Sequence, residues 1–384
     1  MYTVRKLKLK YTEQINSLAM ESGTVYRKTL IRFYRTLRKK GHWLSSNAMM
    51  KLIRSEALHS QSTQAAVQAF YTALDSWREK RLSDPQARMP RRKCKYYRIM
   101  WKKSAIKIKD GSLMLSNGKG SIPLAIPWQW DTPCFIEIGW DGVQYELRAT
   151  YNIGEANALP SQMCAGIDLG EIHLAVSHDG KNCHILNGRM LRSKKQYQNK
   201  VKAALQSKTD TKKKGSKRYK RIKKSKAKQL KKIKNQIRDV LHKQTTALVS
   251  TLKNEGVQTL VIGDVRNIRQ GLDYGSKANQ KLHQMLTGKT RHMLTYKAER
   301  RNMSVVIVDE KYTTQECPHC HHRYKPSGRM YKCSKCGFAY HRDAVGSFNI
   351  RSKYLEFAPV VGVMASPTGI KYSPHMSCVA RIAP

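Results

Sequence analysis

Four cysteines stand at metal-ligand spacing. Cys317-Pro-His-Cys320 and Cys333-Ser-Lys-Cys336 form two CxxC knuckles twelve residues apart, the arrangement that brings four thiolates to one tetrahedral Zn²⁺. Four protein ligands leave no position open for water, so such a zinc is structural. His319, His321 and His322 flank the knuckles. With four thiolates at hand, they are expected to face solvent or phosphate rather than the metal. Cys94, Cys134, Cys164, Cys183 and Cys378 lack paired spacing and are expected to be bystanders.

Two aspartates can do a different chemistry. Phosphodiester hydrolysis by two Mg²⁺ ions needs several carboxylates at one point, because Mg²⁺ takes oxygen ligands and must clamp the attacking and leaving oxygens. Asp168 lies near the end of the apolar stretch AGIDLG (165–170), followed by Gly170, where phosphate can approach the backbone. Its plain alternative is a strand-end turn residue. Asp343, in HRDAVGSFNI (341–350), stands where a helix begins and its carboxylate can turn inward. Its plain alternative is a helix cap or a surface aspartate.

Elements must hold these residues in place. The 384 residues, 40% hydrophobic, suffice for two or three domains. Residues 2–10 alternate as a strand, and apolar positions at three and four spacings predict helices from Glu13 to about Lys40 and from Ser46 to about Leu82. Short strands follow around Ile106–Ile108, Leu113–Leu115, Ile122–Ile126, Phe135–Gly139 and Tyr145–Tyr151, predicting a β-barrel or sandwich over about residues 1–160 with a helical insertion at about 12–84. From Ala165 the pattern becomes three antiparallel strands, a helix, strand Thr259–Ile262, a helix at about 280–301 and strand Ser304–Val308. The order βββ-α-β-α-β is that of an RNase H-like fold with its last two strands parallel to the first. The expected fold class is thus α/β and β multidomain: an RNase H-like domain at about 161–312 and 338–353 interrupted by a zinc ribbon at about 313–337. After about Lys353 four prolines and little periodicity predict a flexible tail, 354–384.

Charge narrows the partners. Lys and Arg number 73 against 26 acidic residues, a formal charge of +47, which calls for a polyanion to neutralise it. There is no apolar run of about 18 residues or more and no secretory pattern, so no membrane is expected and the place of work is the prokaryotic cytoplasm or nucleoid. Arg91, Arg92, Lys93, Lys102 and Lys103 interleave with Tyr96, Tyr97 and Trp101, a mixture suited to phosphates and stacked bases; core-filling aromatics are the alternative. The stretch 194–235, with Lys212-Lys213-Lys214 and Lys223-Lys224, has little acidic offset and predicts an RNA or heteroduplex contact rather than a merely solvated helix face.

The motifs GIDLGEIHLAV (166–176), RDVLHK (238–243), VIGDVRNI (261–268), YKAERRNMSVVIVDEKYTTQECPHC (296–320) and CSKCGFAYHRDAVGSFNI (333–350) resemble, in order and spacing, the RuvC motifs and target-binding ribbon of the TnpB family. These are the insertion-sequence OrfB proteins, related to the small type V CRISPR effectors. The resemblance is specific over 160–350; the amino-terminal part is similar in layout to that family's wedge barrel with a helical recognition insertion. It implies an RNA-guided DNA endonuclease of a transposable element, acting as a monomer on a guide RNA from the element's end. Double-stranded DNA beside a short adjacent motif would be the target, with two catalytic Mg²⁺ ions and a structural Zn²⁺.

One departure bears on chemistry. Where the family's strand carries a catalytic Glu, this chain has Gly263, which offers no side-chain ligand. Three readings stand open. Glu310, after Val308-Asp309, can replace it from the adjacent parallel strand, a gap of about 5 Å. Asp264 can serve by a one-residue shift, although strand alternation points it away. Or the nuclease is inactive and the chain is an RNA-guided DNA-binding repressor. Val345 also stands where the family often has Asn. A DDE transposase and a non-enzymatic zinc-ribbon binder are rival classes. The ribbon's place between the fifth strand and the last carboxylate counts against the first, and the Asp168–Asp343 pair against the second.

Overall fold

The alternating segment Tyr2–Leu9 forms strand β1, and the Thr12 side chain, accepting from the Ile15 N–H at 3.2 Å, starts helix α1 (Glu13–Lys40). The computed structural model describes residues 1–155, 157–265, 273–356, 368–372 and 377–381, the last two as backbone. The chain divides into two units, Met1–Glu155 and Ala156–Pro384.

In the first unit the helical stretch expected from Ser46 to Leu82 is two helices, α2 (Ser46–Leu52) and α3 (Ser60–Ser83). Local side-chain bonds break it. Ser55 Oγ donates to Glu21 Oε1 at 2.7 Å and accepts from the Leu58 N–H, and His59 Nδ1 accepts from the Gln61 N–H to cap α3; such bonds compete with the helical ladder. Six strands follow: β2 (Ile99–Lys102), β3 (Ile106–Lys109), β4 (Ser112–Leu115), β5 (Leu124–Pro127), β6 (Phe135–Trp140) and β7 (Tyr145–Asn152). They form two sheets, β1-β7-β6-β2 and β3-β4-β5. Among the described residues no strand pairing closes them into a barrel. Helices and sheets share one core, in which Phe33, Phe70, Trp101, Leu113 and Leu147 are fully buried.

The second unit starts with antiparallel strands β8 (Cys164–Asp168), β9 (His173–His178) and β10 (Cys183–Asn187), the last two turning at Asp179-Gly180. The basic run is then a helical hairpin, α4 (Arg189–Asp210) and α5 (Lys217–Asn254), turned at 211–216. Only the C-terminal half of α5, from Ile233 to Leu252, carries a buried apolar stripe. Next come β11 (Thr259–Gly263), α6 (Gly275–Gln284), α7 (Thr287–Glu299), β12 (Ser304–Val308), the ribbon strands β13 (Met330–Lys332) and β14 (Ala339–His341), and α8 (Arg342–Leu355).

Strand β11 runs parallel to both β8 and β12. Leu260, Val261 and Ile262 are fully buried, as a strand covered on both faces requires; each stabilises the sheet by roughly 1.5–3 kcal/mol before chain-ordering costs. Helix α8 lies directly on β8, since a Cβ on Gly166 would meet the Ser347 carbonyl oxygen at 2.0 Å. The flexible tail expected at 354–384 is corrected in part. Helix α8 continues to Leu355, and β15 (Thr368–Tyr372) and β16 (Ser377–Arg381) extend the sheet in the order β12-β11-β8-β9-β10-β15-β16. The free hydrogen-bonding edge of β10 is what they satisfy. The remainder of that segment lies outside the described residues. Among those residues, no helix is long and apolar enough to cross a membrane.

Candidate active site

Three parallel strands end at one level. Register aligns Ile262 of β11 with Ile167 on one side and Ile307 on the other. Asp168 therefore ends β8 beside Gly263 at the end of β11, and Val308 ends β12 before Asp309-Glu310. Glu310 reaches back over the neighbouring strand: a Cβ built on Gly263 would meet Glu310 Oε2 at 2.9 Å and Glu310 Cβ at 3.1 Å. The space a side chain at 263 would need is thus filled by the Glu310 carboxyl. Its Oε2 is buried without a hydrogen-bond partner.

Asp168 lies against α8, where a Cβ on Gly346 would meet its Oδ2 at 2.8 Å. Gly346 follows Asp343 by three residues, so both share one face of α8. Asp343, in the first turn of that helix, has Oδ2 2.7 Å from His173 Nδ1 and 3.4 Å from Arg329 Nη1, and Oδ1 3.4 Å from Arg342 Nε. A cavity of about 220 Å³ opens onto Asp168 and Asp343, with His173, Arg329 and Arg342 in its walls.

Electrostatics separates the three acids. Burial, then the charges of Asp343 and Glu310, push Asp168 up to about 8. Burial, with the charges of Asp264 and Asp309, pushes Glu310 up to about 7. Burial also acts on Asp343, but the His173 hydrogen bond and the Arg342 charge hold it below the usual carboxylate range. Arg342 beside Asp168 and Lys353 beside Glu310 oppose this rise without cancelling it, so two of the three acids tend to hold protons that a divalent cation with oxygen preference would displace. Asp264 turns instead to α7, where it pairs with Arg291 at 3.1 Å.

The ribbon gathers its cysteines without help from the acids. Cys317 Sγ lies 3.7 Å from Cys336 Sγ, and Cys320 Sγ 3.5 Å from Cys333 Sγ; all four fall within 4.8 Å of one another. Thiolates about 2.3 Å from one zinc in a tetrahedron are about 3.8 Å apart, so the donor set fits Zn²⁺. His321 pairs with Glu316 and His322 stacks on Tyr324, away from ligation. Val345, the departure from the family's Asn, is fully buried against Cys317, Tyr331 and Cys333. Asn349 Nδ2 donates to the Thr313 and Glu316 carbonyls. The ribbon therefore braces the helix that carries Asp343.

The basic candidates are spread over both units. Arg91 lies over the Tyr34 ring, Lys102 donates to Gln68 Oε1, and Arg92, Lys93 and Lys103 are exposed. Tyr97 is half-buried and stacked on Tyr26 at 4.6 Å, and Trp101 is fully buried, donating to the Ser116 carbonyl. Of the two readings open for these aromatics, Trp101 takes core filling. Lys213 and Lys214 are exposed and Lys212 half-buried in the α4–α5 turn, and Lys223 and Lys224 are exposed on α5. His173, His341, Arg329 and Arg342 were not among the residues singled out from sequence. The HRD tripeptide signals two of them, whereas His173 and Arg329 reach Asp343 only through the fold.

Residues 143–269 match the family described as "Probable transposase", OrfB of IS605, and residues 288–350 match the "Cas12f1-like, TNB domain". A TnpB-like protein of Methanocaldococcus jannaschii is 31% identical over 136 residues, 35% of this chain and 47% of that protein. InsQ of Escherichia coli, provisionally named an RNA-guided DNA endonuclease, is 28% identical over 202 residues, 50% of this chain and 49% of that protein. The chain thus spans about half the length of these curated relatives. Among solved structures, Cas12f1 in complex with guide RNA and target DNA superimposes with a TM-score of 0.63 at 11% identity, over 89% of this chain and 83% of that one. The mini-RNA-guided endonuclease Cas-phi3 gives 0.50 at 10% identity, over 94% and 93%. At such identities the likeness concerns the fold alone. Both family matches fall in the order the motifs predict and the curated relatives are of the same kind, so over residues 143–350 the chain is similar to the TnpB family.

Proposed function

We propose that this chain is an RNA-guided DNA endonuclease of a transposable element, with Asp168, Glu310 and Asp343 as its metal-binding carboxylates. The observation that carries it is the Glu310 carboxyl in the space beside Gly263, buried and without a hydrogen-bond partner. A lone glycine for glutamate exchange would leave a hole. Here the next strand supplies an acid to the same place, at the energetic cost of a raised pKa, and such costs are maintained where function needs them.

In this reading the second unit is an RNase H-like, RuvC-type domain, with strands in the order β12-β11-β8-β9-β10. The ribbon at about 313–337 is its insertion, and the first unit is a wedge domain with a helical recognition insertion. Two Mg²⁺ ions at the carboxylates would lower the pKa of an attacking water and neutralise charge at the leaving oxygen. The chain's own contribution is placement. Asp168 is held by β8 against Gly346, Glu310 is delivered by the end of β12, and Asp343 is oriented by His173. No side chain acts as nucleophile. Guide pairing reads the target, while Lys212, Lys213, Lys214, Lys223 and Lys224 hold phosphates without sequence choice, which predicts steep salt dependence.

The test is cleavage of matched DNA by the protein purified with its co-expressed RNA in Mg²⁺. Cutting that Asp168→Ala abolishes while target binding persists supports the enzyme. Tight binding without cutting by the wild-type chain contradicts it and makes the chain an RNA-guided repressor.

A further inference from the structure

Two histidines at Asp343 have more donor capacity than the proposed hydrolysis uses. His173 begins β9 and His341 ends β14, yet their rings lie 5.1 Å apart, centre to centre. His173 Nδ1 is 2.7 Å from Asp343 Oδ2. One ring nitrogen from each histidine and one Asp343 oxygen all fall within 4.8 Å of one another. His341 Nδ1 is buried with no hydrogen-bond partner. The cavity of about 220 Å³ reaches His173 and Asp343, giving an ion a way in.

Two imidazoles and one carboxylate are not a donor set that Mg²⁺ favours. That ion takes oxygen and keeps its waters, whereas imidazole suits Zn²⁺, Cu²⁺, Fe²⁺ and Ni²⁺, with Mn²⁺ between the two classes. We propose that His173, His341 and Asp343 form a mixed nitrogen–oxygen site that takes a divalent transition ion more tightly than Mg²⁺. The proposal rests on Asp343 being a metal ligand. The neighbouring guanidiniums oppose a cation there, but each touches Asp343 only at 3.4 Å. The Arg329 and Arg342 side chains are 40% and 34% exposed, so both have solvent to turn into. In the metal-free chain the 2.7 Å contact between His173 Nδ1 and Asp343 Oδ2 occupies the place the ion would take.

The test uses the full chain with its ribbon zinc, free of RNA, and Mn²⁺ as the probe. Mn²⁺ binding is followed by electron paramagnetic resonance, and its ligands by nitrogen modulation of the electron spin echo. The expected result is imidazole modulation in the wild type, diminished in His341→Ala and in His173→Ala, with binding weakened about tenfold or more in each. Asp168→Ala and Glu310→Ala keep the nitrogen signal, because the site uses neither residue. Thermal melting shows whether each variant is folded, and His173→Asn serves where His173→Ala is not. Mn²⁺ bound without nitrogen modulation, or equal affinity in folded histidine variants, overturns the site and leaves His173 only orienting Asp343. A chain that shows the nitrogen signal but never cuts DNA refutes the nuclease reading alone.

Discussion

The ribbon and the proposed carboxylate site both draw on anionic side chains, but they place them by opposite means. In the ribbon, four thiols come from two short knuckles with Tyr331 packed fully buried among them. Local chain geometry brings the ligands together. In the cluster, Asp168, Glu310 and Asp343 come from the ends of β8 and β12 and the start of α8, and only the sheet register and the α8–β8 contact unite them. The ribbon's ligands are soft and its coordination closed, suiting a metal that stays. The proposed cluster's are hard, and Asp168 and Asp343 open onto a cavity, which would suit ions that must meet a substrate. The difference teaches that ligands from one segment serve stability, whereas ligands from several segments store repulsion that stability must absorb.

The largest expected effect is at the ribbon. Removing zinc with a strong chelator, or Cys333→Ser, should unfold the ribbon and release α8, since structural zinc contributes on the order of 10 kcal/mol to such motifs. Protease resistance around 313–350 measures it. Unchanged resistance would erase the contrast between the two sites. The cluster should answer in the opposite sense. Asp168→Asn removes a buried acid that must take up a proton on folding at neutral pH, so it should raise the melting temperature of the metal-free protein by a few degrees, while cutting falls below detection.

A smaller effect follows from pH. Asp168 and Glu310 have folded pKa values above their ordinary ones, about 8 and about 7. The folded state therefore binds more protons than the unfolded one, and this contribution is full at low pH and lost as pH rises toward 8. Melting of the metal-free chain from pH 6 to pH 9 should show stability falling, with Asp168→Asn flattening the slope. A slope unchanged by that substitution would mean that burial and the neighbouring charges do not raise Asp168 as described.

Legibility in the sequence follows the same division. The ribbon was readable because its ligands are local. The positions of Asp168 at a strand end and Asp343 at a helix start were readable, and so was that of Glu310 just past the adjacent strand, because register carries position across a sheet; that these acids bind metal is a proposal. His173 at Asp343 was not readable, since their meeting needs β9 and α8 packed together, a contact 170 residues apart in sequence. The break between α2 and α3 was hidden for another reason: Ser55 and His59 act through side-chain bonds that apolar periodicity does not register.

The central claim is that Glu310 stands in for the side chain missing at Gly263. Its most direct measurement is cleavage by three variants: Glu310→Ala, Gly263→Glu, and the two combined. Glu310→Ala should abolish cutting while target binding stays intact. Gly263→Glu alone should impair it, because the new side chain meets Glu310 Oε2 and Ile350 Cδ1, each 2.9 Å from its Cβ. The double variant, with the space vacated and the acid returned to β11, should cut again. Full activity in Glu310→Ala would contradict the account.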